Sequence, residues 1–170
     1  MQQRVLLTVI AALAAVVGFA SGGSAAGPTS CTFTVDLTMS PGLSHQGTSG
    51  TLDSGGQTGT VNCDGPVDGH QPTGPGTFGT TGRYGTQGPD GCATGGEGDG
   101  TQDFTLPTAG SSTSVRNTMT FNYGAKDGGV GGDIKGDRYS GTFEVRPKKG
   151  DCFNSPVTEI TISGSMTSNS

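Results

Sequence analysis

The chain offers few side chains for acid–base or nucleophilic chemistry, and most of them lie in one segment. His70 is one of only two histidines, and Asp64 and Asp68 precede it closely enough for a carboxylate to orient its imidazole. A Ser-His-Asp hydrolase also needs an activated serine, and the sequence has no G-x-S-x-G motif. The pattern therefore favours a solvated loop histidine over a catalytic one, and we assign no catalytic residue.

The same segment contains further polar residues that could bind a ligand. Residues 64–76 form a long stretch with three prolines, and Arg83 and Tyr84 follow it after six further residues. Long loops on rigid β scaffolds often carry function. Arg83 is the one base among residues 27–103, so it could instead form a structural ion pair with a nearby acid. If the protein has a ligand site, we expect it to be formed by Asp68, His70, Arg83 and Tyr84.

Metal-binding spacings are weak or missing in the sequence. There is no H-E-x-x-H motif and no C-x-x-C pair. Residues 95–100 resemble part of a calcium-binding repeat, in which Glu97, Asp99 and Asp103 could supply oxygen ligands. Such repeats act in several tandem copies, whereas this chain has one imperfect copy. We therefore expect neither a metal nor a cofactor.

Residues 1–26 have the pattern of a secretory signal peptide. One base, Arg4, precedes the apolar residues 5–20, and small residues end the segment. Sixteen apolar residues are fewer than the roughly 20 that a bilayer-spanning helix needs, so a membrane anchor is the less favoured alternative. We expect a secreted or cell-envelope protein with residues 27–170 as one domain and no membrane span after signal cleavage.

Because export places the chain in an oxidising compartment, we expect its four cysteines to form two disulfides. Loop-closure entropy does not choose between the possible pairings. We predict Cys31–Cys152 and Cys63–Cys92, since the first bridge would tie the start of the first strand to the start of the last. If all strands alternate in direction, however, Cys63 lies at the opposite end from the other cysteines. Either an early strand is then miscounted or residues 64–76 fold back over the barrel.

The composition is unusual for a folded domain. Residues 27–170 contain 30 Gly and 9 Pro but only 20 Leu, Ile, Val and Phe, and there is no Trp. These proportions exclude a helical bundle and approach those of disordered chains. The net charge of the whole chain is only −5, which is too small to keep it unfolded by repulsion. Because the chain has no basic stripe, we do not expect nucleic acid as a partner.

Period-2 alternation nevertheless predicts β-strands. Apolar and polar residues alternate clearly over residues 31–39, 115–123, 139–145 and 160–166. Weaker strands are predicted around Leu52 and Val61, which flank a hairpin turn at residues 54–57, and at 78–84, 104–106 and 130–134. We predict an all-β fold, an antiparallel β-barrel or sandwich of about eight to nine short strands, stapled by two disulfides. Glycines inside such strands would mark bends that help a small barrel to close.

Three stretches of the chain resemble a group of small exported actinobacterial proteins of uncharacterised function. They are residues 31–44, residues 62–85 with the core 69–77, and residues 136–152. The resemblance implies export, two disulfides and a β-rich fold, and it implies no reaction. Lipocalins and avidins, which are also small β-barrels, depend on tryptophans near their ligand cavities, and this chain has none.

These patterns favour a secreted protein that acts by binding rather than by chemistry. We expect its partner to be a small apolar ligand in the barrel mouth, or an envelope or host macromolecule. The alternative is a small enzyme built in the barrel cavity, such as an isomerase or cyclase, with His70, Arg83 and Tyr84 as polar groups. A purely structural surface protein is a third interpretation. A cavity would favour the ligand or enzyme interpretations, and a filled interior would favour a surface interaction module.

Overall fold

The structure, a computed structural model, describes residues 27–92, 94–126 and 129–169. The predicted signal peptide, residues 1–26, lies outside these ranges. Nine strands form the fold: β1 (Ser30–Leu43), β2 (Gly50–Asp53), β3 (Gly59–Asp64), β4 (Gly76–Tyr84), β5 (Gly96–Thr108), β6 (Ser111–Lys126), β7 (Gly129–Gly136), β8 (Tyr139–Lys149) and β9 (Val157–Ser168). Within the described ranges, no helix is long and apolar enough to cross a membrane.

The strands form one antiparallel sheet that closes on itself. From β3 to β9 each strand pairs with the next one along the chain, and β9 pairs with β1 from Ser30 to Leu43. The prediction of an all-β barrel is confirmed. One end of the barrel, here called the lower end, holds Ser30 and Asp64, and the other end, the mouth, holds Leu43 and Tyr84.

One position in the ring is shared by two short strands. The lower part of β1 pairs with β3 and its upper part with β2, and β4 divides its pairing in the same way. β2 and β3 therefore run in the same direction, and the hairpin predicted between them is wrong. Residues 54–58 instead fold onto the outside of β4, where the backbone N–H of Ser54 donates to the Thr80 carbonyl at 3.0 Å. A Cβ on Gly79 would lie 2.2 Å from the Gly56 carbonyl oxygen, which explains the glycine there.

Side chains fill the lower half of the barrel. The rings of Phe33 and Phe78 stack with centroids 4.7 Å apart, Phe78 is 6.4 Å from Phe104, and Phe104 meets Tyr139 edge-on at 5.4 Å. All four side chains are buried. Edge-to-face and offset-stacked rings at such distances stabilise a core beyond their buried area.

Inward-facing glycines make room for aromatic rings from neighbouring strands. Phe33 lies against Gly164, Phe143 against Gly132, and Phe121 against Gly98. A Cβ at any of the three glycines would lie within 2.9 Å of the facing ring. The high glycine content therefore has a packing role, because small and large residues alternate across a narrow interior.

Both disulfides differ from the predicted pairing. Cys31 faces Cys63 in the β1–β3 register and bonds to it, and Cys92 bonds to Cys152 between two loops at the mouth. The predicted bridges Cys31–Cys152 and Cys63–Cys92 are wrong because β1 and β9 are antiparallel, so the start of β1 lies beside the end of β9, at Thr167. Two disulfides are compatible with an oxidising extracellular environment.

Candidate functional site

The four residues predicted as a ligand site lie at opposite ends of the barrel. Asp68 and His70 belong to the lower-end loop, where the backbone N–H and C=O groups of Val67 and His70 bond each other at 2.9 Å. Val67 is completely buried beneath the loop, His70 is exposed, and Asp68 forms an ion pair with Arg138. These residues close the lower end of the barrel and contact no cavity of the mouth half.

Arg83 and Tyr84 lie in β4 near the mouth and point in opposite directions. Arg83 is on the outer face and forms two hydrogen bonds with the Asp99 carboxylate, at 2.7 and 3.1 Å, which raise the pKa of the guanidinium. Tyr84 is 1% exposed, and its hydroxyl donates to the Pro41 carbonyl. Burial raises the pKa of Tyr84. Of the four predicted residues, Tyr84 alone lines the interior cavity, so the polar groups of the enzyme alternative do not meet.

The acidic segment considered for calcium forms the first half of β5. Asp99 pairs with Arg83, and Asp103 pairs with Arg116 at 2.7 Å, both on the outer face of the sheet. Glu97 is exposed at the mouth and donates its backbone N–H to Asp90. Two of the three carboxylates are therefore used in cross-strand ion pairs.

A cavity of about 100 Å³ occupies the mouth half of the barrel. Its wall is mainly apolar, and includes Leu37, Met39, Met119, Ile134, Ile160 and Ile162. None of the described residues that line it carries a formal charge. Cys92 is held in a disulfide, and the Thr80 hydroxyl donates to the Thr101 carbonyl at 2.9 Å. Among the described residues, this lining places no nucleophile beside a general base.

Two polar groups in the cavity wall have no hydrogen-bond partner among the described residues, Nε2 of Gln102 and the hydroxyl of Tyr123. Gln102 of β5 is completely buried, and its Oε1 accepts a hydrogen bond from Nδ2 of Asn117 at 2.9 Å. Its Nε2 is also buried, and among the described residues it has no hydrogen-bond partner. A buried donor left without an acceptor costs about 1–3 kcal/mol, so this donor needs an explanation.

Asn117 determines which way the Gln102 amide points. Its Oδ1 accepts hydrogen bonds from the backbone N–H groups of Arg138, at 3.0 Å, and Tyr139, at 2.9 Å. Because a backbone N–H can only donate, Nδ2 of Asn117 must lie on the other side, where it donates to Gln102 and to the Tyr139 carbonyl. The β7–β8 turn thus sets the orientation of both amides and leaves Nε2 of Gln102 without a partner among the described residues.

Asp90 anchors the loop that covers part of the mouth. Asp90 is 4% exposed, and its carboxylate accepts hydrogen bonds from the N–H groups of Gly85, at 2.8 Å, and Glu97, at 3.3 Å. A Cβ on Gly96 would lie 1.8 Å from the Asp90 carboxyl carbon, so only glycine fits there. Burial, and then the charge of Asp90, raises the pKa of Tyr123 in the cavity wall. The tyrosine therefore stays neutral.

The cavity opens on the side of the mouth formed by β6, β7 and β8. Tyr123, Val130 and Val145 point inward from these strands and line the cavity, yet they are only half-buried. Pro147, at the end of the same wall, is exposed. Because the lining becomes more exposed towards this side, a ligand could enter there without unfolding the covering loop.

Gln102 and Asn117 were not among the predicted site residues. Asn117 occupies an inward position between Val115 and Met119, so a polar residue in an apolar series was the available signal. Gln102 follows the inward-facing glycines of β5, so the sequence before it shows no alternation of apolar and polar residues.

No model of a known protein family, no curated protein sequence and no solved protein structure matches this chain. The cavity and the side chains around it are therefore the features of the molecule that bear on its function.

Proposed function

We propose that the protein binds a small apolar ligand in the mouth half of its barrel. The observation that carries this proposal is the cavity of about 100 Å³ above a lower half packed with buried side chains. Protein interiors normally pack as densely as organic crystals. At roughly 24 cal/mol per Å³, an empty cavity of this size costs about 2 kcal/mol. A ligand that fills it would recover much of that cost.

The size of the cavity limits the ligand. A dry cavity of roughly 150 Å³ lined by Leu, Ile and Phe holds benzene. The cavity here is somewhat smaller, which suits a small ring or a short branched chain. A longer ligand would have to extend past Val145 and Pro147 into the opening.

The proposed place of action is outside the cytoplasm, in the medium or the cell envelope. The signal-peptide pattern of residues 1–26 supports this proposal, and so do the two disulfides, which persist in oxidising compartments.

A second candidate is a macromolecular partner that contacts the mouth. Phe153 is the one exposed large hydrophobic side chain among the described residues, 78% exposed, with its ring 5.7 Å from that of His45. A stable interface buries about 800 Å² on each partner, and one ring supplies only part of that area. We therefore rank this candidate below ligand binding.

Titration of the oxidised protein with benzene, followed by methyl NMR, tests the proposal. We expect saturable shifts of the Met119, Ile134 and Ile162 methyl signals, with a dissociation constant of about 1 mM, because six ligand atoms at about 0.7 kcal/mol each lie below the known ceiling. Val145→Trp should block the opening and abolish the shifts. Thr142→Trp adds the same ring to the outer face of β8 and should leave them unchanged. Absence of shifts in the unmodified protein, or equal shifts in both variants, would contradict the proposal.

A further inference from the structure

We infer that the ligand is a neutral molecule with one hydrogen-bond acceptor, such as the carbonyl oxygen of a ketone or ester, which binds Nε2 of Gln102. This inference rests on the proposed binding function and specifies the chemical class of its ligand. It also explains why a fully buried amide in a mainly apolar wall remains without a partner for its donor among the described residues.

The hydrogen bonds at the inner end of the cavity leave Nε2 of Gln102 without an acceptor. Oε1 of Gln102 is occupied by Asn117, and the Asn117 amide is held in turn by the backbone of the β7–β8 turn. The hydroxyl hydrogens of Thr80 and Tyr84 go to backbone carbonyls. The Tyr123 hydroxyl, on the side of the opening, is the other polar group of the lining without a partner among the described residues. Gln102 therefore cannot rotate to offer its oxygen without breaking the bond from Asn117. A site built in this way rejects analogues that lack the acceptor, because its own donor then stays unpaired.

The charges around the cavity favour a neutral ligand. No described lining residue is a Lys, Arg or His, so a carboxylate would have no counterion. The buried Asp90 carboxylate near Tyr84 and Tyr123 would also repel an anion. A cation would have to leave water for an apolar wall, and the Asp90 oxygens already accept backbone hydrogen bonds.

Two probes of the same shape test the inference on the intact, oxidised protein. Cyclopentanone and methylenecyclopentane share one ring and differ only in an oxygen atom in place of a CH₂ group. We compare their affinities for the unmodified protein and for Gln102→Met, which keeps the length of the side chain but removes the donor. The ratio of ketone to alkene affinity should fall about tenfold in Gln102→Met, since one hydrogen bond to a buried donor is worth about this factor. Met119→Leu alters the same wall without changing a donor and should leave the ratio unchanged.

The side-chain amide signals of Gln102 give a direct measurement that needs no variant. Cyclopentanone should move an Nε2 proton downfield, as expected for a new hydrogen bond, and methylenecyclopentane should not. If both probes bind with the same ratio in the unmodified protein and in Gln102→Met, and neither moves the amide signals, the inference is wrong while the binding function stands. If neither probe binds and benzene also fails, the binding function itself is wrong and the inference falls with it.

Discussion

The lower half and the mouth half of the barrel are built from the same strands but pack their interiors differently. In the lower half four aromatic rings touch in sequence, and Cys31–Cys63 joins two adjacent strands. In the mouth half aliphatic side chains surround a cavity, and Cys92–Cys152 joins two loops. From this difference we expect the lower half to supply most of the stability. The mouth half can then tolerate a cavity and an unpaired donor, the two features on which the proposed binding function rests.

Reduction of the two disulfides should have the largest effect. In the chain-entropy model, loops of 32 and 60 residues contribute about 3.7 and about 4.3 kcal/mol. Their sum of about 8 kcal/mol is comparable to the whole stability of a typical domain, roughly 5–15 kcal/mol. We expect the reduced protein to lose its cooperative thermal transition, measured by circular dichroism. An unchanged transition after complete reduction would show that the aromatic core is sufficient by itself.

Removal of one disulfide at a time should distinguish the two halves of the barrel. Replacing Cys92 and Cys152 by Ala should weaken benzene binding, because the loop that covers the mouth loses its anchor. Replacing Cys31 and Cys63 by Ala should leave binding intact wherever the protein remains folded. Hydrogen exchange should report the same contrast, with faster exchange confined to the mouth loops in the first variant. Equal loss of binding in both variants would contradict a functional division between the halves.

The amides of Asn117 and Gln102 provide an intermediate test. Asn117→Leu would leave the buried backbone N–H groups of Arg138 and Tyr139 without an acceptor, and we expect it to lower the free energy of unfolding by about 3 kcal/mol. Gln102→Met also removes a buried polar group, but that group includes an unpaired donor, so we expect a change within about 1 kcal/mol. Urea denaturation measures both. Similar costs for the two variants would show that Nε2 of Gln102 is satisfied in solution.

The smallest expected effect concerns the mouth loop at residues 150–156. The Asp151 carboxylate accepts hydrogen bonds from the Asn154 side chain and from the backbone N–H groups of Asn154, Ser155 and Phe153, which lower its pKa to about 2. A lowered folded-state pKa stabilises the loop above the ordinary value of 3.8, and this contribution disappears as the pH falls towards 2. The protection factors of the loop amides, which correct the exchange rates for their intrinsic pH dependence, should therefore fall between pH 4 and pH 2. In Asp151→Asn that fall should be absent, and its persistence would assign the effect to another group.

Strands whose pattern lies within one segment were predictable from the sequence. β1, β6, β8 and β9 place large apolar residues at alternate positions, and the structure contains all four strands. The first half of β5 escaped prediction because its inward residues are Gly96, Gly98 and Gly100. The ring against Gly98 comes from Phe121 on the neighbouring strand. A local pattern cannot show a core position that another strand fills.

The disulfide pairing and the position of the candidate site could not be predicted without knowing how the sheet closes into a ring. The predicted pairing failed because it placed the start of β1 beside the start of β9, although an antiparallel closure puts it beside the end. The four predicted site residues do not lie together, because Asp68 and Arg83 are close in sequence but are separated by the length of β4. Gln102 gains its role from Asn117, which is fixed by a turn more than twenty residues further along the chain.

The ring position between β1 and β4, which β2 and β3 share, determines where the chain can gain or lose residues. Leu52 and Val61 both face inward, yet they are nine residues apart, an odd interval that would put them on opposite faces of a continuous strand. Residues 54–58 leave the sheet towards the outside, and β3 then resumes with its apolar residues facing inward. Insertions or deletions of either parity can be absorbed there without turning either strand inside out. This stretch is therefore the natural point at which the barrel can accept foreign sequence while both halves keep their registers.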